Sequence, residues 1–200
     1  PSMAFRSSKE LPTKAERASV IGLGLASLLL QGGERVRLLN RPMATVSGRL
    51  ALIQMAHHLE REIATSPTTE IPMSPVSLPR HSAVVLISDF MAPIEALEKT
   101  ITSYAGQAVH GHLLQILDPA EEVLPYSGRI QFQGMEEEGQ LLIERTEDVR
   151  ADYQRKLAEQ RAQIASMTNR LGWTFNVHHT DKQPHTALVR LHNRLAEQSW

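Results

Sequence analysis

The chain has 200 residues, of which 42% are apolar and only 4% aromatic. That suffices for one domain with a core built mostly from Leu, Ile, Val, Ala and Met. A net charge of −1, with acids and bases interspersed, argues against binding to nucleic acid or an anionic membrane through bulk charge. The absence of cysteine excludes disulfides, thiolate catalysis and cysteine-type zinc sites, and it permits a cytoplasmic address.

The first stretch, 1–11, is polar and loop-like. Thr13 and Glu16 then fit a capping box that opens a helix over 14–31. This helix is nearly all apolar beyond Arg17 and is closed by Gly32-Gly33. Gly22 and Gly24 within it cost helix propensity, so they are expected to let it approach strands closely. Its apolar run, 20–30, is broken by glycines and Ser27 and is far short of a membrane span. No signal peptide is visible. Residues 35–40 read as a strand, and 48–64 as a helix with Leu50, Ile53, His57 and Leu59 turned inward. The proline-rich stretch 65–79 is a loop too long for a plain connector, which suggests function.

The run Ala83-Val84-Val85-Leu86-Ile87-Ser88-Asp89-Phe90 is the centre of the chain. A short, continuous, β-branched run suits a strand of a parallel sheet covered on both faces. Its Ser-Asp end falls at the carboxyl edge, where open α/β sheets bind ligands. Asp89 either caps the helix that follows, 93–104, or offers its carboxylate to a hard cation. A second strand spans 109–117. Two short segments, 128–133 and 140–145, flank Gly134 to Gly139 and read as a β-hairpin insertion at about 126–146. A long helix over 147–171, a strand over 173–178 and a helix over 184–198 complete the chain. Strand–helix alternation predicts a single domain over 1–200. Its fold class is α/β: three layers, a doubly wound and mostly parallel sheet, and helices on both faces. A buried helix at the start of such a chain should follow a strand. None precedes Lys14, so an upstream first strand is expected, and a membrane anchor beyond it is compatible with that.

Several patterns have plain alternatives. His110 and His112 share a strand face at a spacing that can bind zinc, yet a pair of partly exposed histidines is the simpler expectation. His178, His179, Asp181, His185 and His192 form a His-rich end, expected to be a solvated surface. Glu136-Glu137-Glu138 suits a solvated hairpin tip. Neither a Gly-x-x-x-x-Gly-Lys-Ser/Thr loop nor a Gly-x-Ser-x-Gly elbow is present, and Gly22-Leu23-Gly24 sits inside a helix rather than at a nucleotide-binding turn.

Four stretches carry a resemblance: Pro1-Ser2-Met3-Ala4-Phe5 followed by Lys14-Ala15-Glu16-Arg17-Ala18; Ile87-Ser88-Asp89-Phe90; Asp118-Pro119 with Glu122, Leu124 and Pro125; and the hairpin with the Tyr153-containing long helix. In this order they resemble von Willebrand factor A-like domains, and more narrowly the bacterial domain-of-unknown-function family 58. The resemblance implies a metal-ion-dependent protein-interaction module rather than an enzyme. It would work beside a MoxR-type AAA+ ATPase in assembling or maturing other proteins, with the ATPase or a client protein as partner. It implies Mg²⁺ or Mn²⁺ on oxygen ligands at the sheet's carboxyl edge, with Ser2, Thr69 (Thr68 next) and Asp89 as ligands. The motif's first Asp and Ser are absent, so this chain is expected to bind metal poorly or not at all. Two other readings stand beside it: a metal-dependent hydrolase using Asp89, and a scaffold whose metal site has decayed. Loss of the first strand would leave strand edges open to self-association.

Overall fold

A parallel strand forms only beside a partner, and the apolar run at 83–87 finds its partner in 110–117. The computed structural model describes residues 2–39, 48–65, 77–125, 130–133, 140–143 and 146–197. Strand β1 (Ala83–Ser88) pairs in parallel with β2 (His110–Leu117), with Ala83 opposite His110 and Ser88 opposite Gln115. On its other side β2 pairs in parallel with β5 (Thr174–His179), with His112 opposite Thr174 and Leu117 opposite His179. The described sheet has the order β1-β2-β5. Strands β3 (Ile130–Gln133) and β4 (Gln140–Ile143) form the expected antiparallel pair.

The strand period of two splits β2 between two cores. Leu114 and Ile116 face helix α1 (Lys14–Gln31) and helix α6 (Pro184–Glu197), where Ile21, Leu25, Ala187 and Leu191 meet them. Val109 and Leu113 face helix α3 (Ile94–Ala105) and helix α5 (Thr146–Arg170), packing with Leu97, Ile101, Tyr104, Ile164 and Met167. The result is three layers, with helices on both faces of a parallel sheet. Among the described residues no helix is long and apolar enough to cross a membrane.

Local chemistry explains the helix ends. Thr13 and Glu16 form the reciprocal capping box of α1. A short helix that the sequence reading missed, α4 (Pro119–Val123), has its own capping box between Asp118 and Glu121, and it ends at Leu124 in the left-handed region. Gly22 faces Ile87 of β1 as expected, but Gly24 faces Leu188 of α6, so the second glycine serves helix–helix contact rather than a strand.

Four expectations need correction. Residues 35–39 are irregular, because no described strand lies beside them and an isolated strand has nothing to satisfy its backbone. The central strand is β2, not β1, and it is buried almost from end to end. Helix α2 (Arg49–Thr65) packs against α1 through Ala51 and Met55, while Leu50, Ile53 and His57 are exposed. Its apolar residues surround the axis, so periodicity could not select the face; the small Ala51 sits in the buried stripe. Finally, His112 is buried and hydrogen bonded to Thr174 Oγ1 at 2.8 Å, and His178 is buried rather than part of a solvated end.

One close approach in β2 is demanding. A Cβ on Gly111 would lie 1.8 Å from the Trp173 ring, whose Nε1 donates to Val109 O at 3.2 Å. Gly111→Ala should therefore destabilise the fold by about 1–3 kcal/mol through overpacking and shift Trp173 fluorescence. Urea denaturation followed by that fluorescence checks it.

Candidate functional site

Parallel strands deliver their carboxyl ends to one rim, and here that rim holds a buried ionic network. Asp89 follows β1 directly. It does not cap α3, whose N-cap is Pro93 with no side-chain cap bond. Instead its Oδ1 accepts from Met91 N at 3.3 Å, and its Oδ2 lies 2.9 Å from Lys14 Nζ. Lys14 is the first residue of α1 and is wholly buried. An ammonium at a helix N-terminus opposes the helix dipole, so its burial requires nearby acids. Asp89 supplies one; Glu121 Oε1, at 2.6 Å, supplies the second. The Phe5 ring adds a cation–π contact, with Nζ 5.9 Å from its centroid.

A second tier surrounds this pair. Gln115 Nε2 donates to Asp89 O at 2.8 Å, while Arg161 Nε donates to Gln115 Oε1 at 3.1 Å. Arg161 also clamps Glu122 with both terminal nitrogens, at 2.6 and 2.5 Å, and His179 Nε2 donates to Glu122 Oε2 at 2.7 Å. Asp118, at the end of β2, accepts from Ala120 N and Ser7 N, both at 2.8 Å. The residues after Ser2 are thereby tied to the rim that holds Asp89. Phe90 next to it has φ 52, an uncommon backbone for a bulky residue. Its carbonyl accepts from Gln160 Nε2 at 2.8 Å, and its ring meets Phe175 edge-on at 6.5 Å.

The electrostatics follow the geometry. Burial raises the Glu121 carboxyl above its usual range, against the pull of Lys14. Hydrogen bonds from Arg161, and then from His179, hold Glu122 down at about 2 despite its partial burial. Burial pushes the Tyr153 hydroxyl up to about 12, helped by the charge of Glu121.

Of the expected ligands, the structure places Asp89 within this network and Ser2 in a short 3₁₀ turn, Ser2–Ala4, whose carbonyl at Ser2 accepts from Phe5 N at 3.2 Å. Thr69 and Thr68 lie outside the described residues. Asp89 as it stands does not fit a divalent cation. One of its oxygens faces an ammonium that also engages Glu121, and the other serves a backbone N–H. Among the described residues, no group of three or more His, Asp or Glu side chains is arranged to hold a metal. The sequence reading missed Lys14, Gln115, Arg161 and His179 as members of the rim. No local signal singled out Lys14: a lysine opening a helix can stay in water, and only the tertiary structure brings Asp89 and Glu121 to it.

Known proteins bear on the fold and the family. A family model described as "Protein of unknown function DUF58" matches residues 1–163. The fold is similar to the crystal structure of the conserved hypothetical protein BatB from Bacteroides thetaiotaomicron, with TM-score 0.55 and 12% identity over 98% of this chain and 93% of that one. It is also similar to an aerotolerance-related membrane protein from Bacteroides fragilis, with TM-score 0.51 and 12% identity over 98% of this chain and 94% of the other. Comparison with curated proteins finds no match.

The network predicts its own failure. Lys14→Met should cost about 3–5 kcal/mol, because it leaves a buried carboxylate without its counter-charge. Lys14→Met/Asp89→Leu should recover much of that in urea denaturation. Acid should act in two windows. His178 is held neutral, with its pKa lowered to about 4 from 6.5 by burial first and then by Arg17 and His179. The unfolded chain therefore binds a proton that the folded one does not, and stability should fall from pH 6.5 towards 4. Glu122, depressed from 4.5 to about 2, contributes stability above pH 4.5 that is lost as pH falls towards 2. Melting temperature against pH, compared with His178→Asn and Glu122→Gln, separates the two.

Proposed function

The chain belongs to the family described as protein of unknown function DUF58, and from that premise we propose that it is a protein-interaction module of von Willebrand factor A-like build. It recognises its partner at the carboxyl rim of the sheet and works beside a MoxR-type AAA+ ATPase in assembling or maturing other proteins. The observation that carries this reading is the Lys14 ammonium between Asp89 and Glu121. A catalytic carboxylate must be free to exchange a proton, attack, or hold a metal. Asp89 is matched already, which counts against the hydrolase reading. What the rim offers to a partner is a rigid, charge-satisfied surface with exposed Met91 after β1 and exposed Val123 on α4.

The same observation favours the scaffold form of this module. Lys14 takes at Asp89 the role that the family resemblance gives to Mg²⁺ or Mn²⁺. Recognition then rests on shape and fixed charge rather than on a bound cation.

Binding of a MoxR-type ATPase to the immobilised chain tests this. Retention should be equal in Mg²⁺ and in EDTA, should be lost in Val123→Asp, and should come without turnover of generic phosphate esters. Calorimetry with Mg²⁺ or Mn²⁺ should give little heat on the unaltered chain. EDTA-sensitive retention, or phosphate-ester hydrolysis abolished by Asp89→Asn, would overturn the reading.

A further inference from the structure

Away from the Asp89 network, a cavity of about 340 Å³ opens between the end of β5 and the first turn of α6. Its walls carry Lys182, Arg190, His178 and His185; the Asp181 carboxylate lies 2.9 Å from Lys182 Nζ, and Arg190 Nη1 donates to Asn176 Oδ1 at 3.4 Å. Two exposed cations, Lys182 and Arg190, therefore stand at a cavity whose His178 is neutral, and Asp181 offsets the first of them. His185 and Thr186, also lining residues, are the second and third residues of a 14-residue helix that starts at Pro184. N–H groups in this first turn have no intrahelical acceptor, and they point along the positive end of the helix dipole.

An independent observation marks the same place. His178 is only 5% exposed, yet its Nε2 has no hydrogen-bond partner among the described residues. Buried polar groups are nearly always satisfied, so the orphaned His178 imidazole in the cavity wall calls for a polar guest.

We infer that this cavity binds a phosphoryl group, held by the first-turn N–H groups of α6, the His178 imidazole, and the Lys182 and Arg190 cations. Helix N-termini are suited to such anions, and the volume lies in the range of small-ligand sites. The guest is therefore a small phosphorylated molecule rather than a phosphate ion alone. The site lies on the α6 side of the sheet, while the His179 side chain beside it reaches Glu122 on the other face; phosphoryl binding does not depend on how the Asp89 network recognises a partner.

Titration of the full chain with inorganic phosphate, glucose 6-phosphate or acetate at constant ionic strength tests this in ¹H–¹⁵N spectra. The His185 and Thr186 amide signals should shift saturably with both phosphates, more tightly with the ester. Lys182→Ala and Arg190→Ala, both at exposed positions, should each weaken binding by about tenfold while leaving the melting temperature without phosphate unchanged. His178→Asn adds a buried test; if it does not fold, the two exposed variants decide. Absence of a saturable shift at tens of millimolar phosphate would overturn the inference. So would equal shifts with chloride, or acetate binding as tightly as the phosphates.

Discussion

One ammonium group organises the carboxyl rim of this sheet. Lys14 sits where a helix N-terminus repels it, out of water, and two carboxylates from different connections converge to make that placement tolerable. The convergence joins the start of α1 to the end of β1 and to α4, three parts of the chain far apart in sequence. Everything else at the rim builds outward from this contact. Gln115 holds the backbone of Asp89, Arg161 holds Gln115, and Glu122 binds Arg161 and His179 together.

The fold makes this convergence geometrically cheap. Parallel strands in register place Ser88 beside Gln115, and Leu117 beside His179. The residues that follow these strands therefore start from a common rim. The alternation of β2 then separates two apolar layers cleanly, which leaves polar side chains such as Gln115 to meet the rim rather than a hydrocarbon core. His178 and His179 show the same rule at the other edge strand. As neighbours in sequence they face opposite layers, one towards Arg17 and α6, the other towards Glu122 and Arg161.

Much of this was legible from the residues. The capping box at Thr13, the β-branched run ending in Asp89 and the glycine-closed helices rest on local chemistry, and each forms where local chemistry puts it. The α/β class and the family were readable from motif order. What the sequence could not reveal depends on neighbours. Whether 35–39 becomes a strand depends on a pairing partner. Which side of α2 is buried depends on α1, because Leu50, Ile53 and Met55 are equally apolar. Asp89 was correctly placed at the rim, but its counter-ion was not, since a lysine in a capping motif looks like an ordinary solvated side chain until the tertiary structure closes over it. His178 was misread for the same reason: a run of histidines near a helix start looks wet on paper.

Helix α5 has a mechanical consequence. At 25 residues it is about 37 Å long, against roughly 26 Å for the longest strand beneath it. Its second half is fixed by Gln160 and Arg161 on the rim and by Ile164 and Met167 in the core. Its first half is tied to the segment of α4: Arg150 Nε donates to Leu124 O at 3.0 Å and Gln154 Nε2 to Glu122 O at 3.4 Å. From Arg150 to Met167 the helix is thus a strut of about 25 Å, with α4 at one end and the core at the other. A displacement of α4 would travel down this strut into the packing around Met167, on the far side of the sheet from α1.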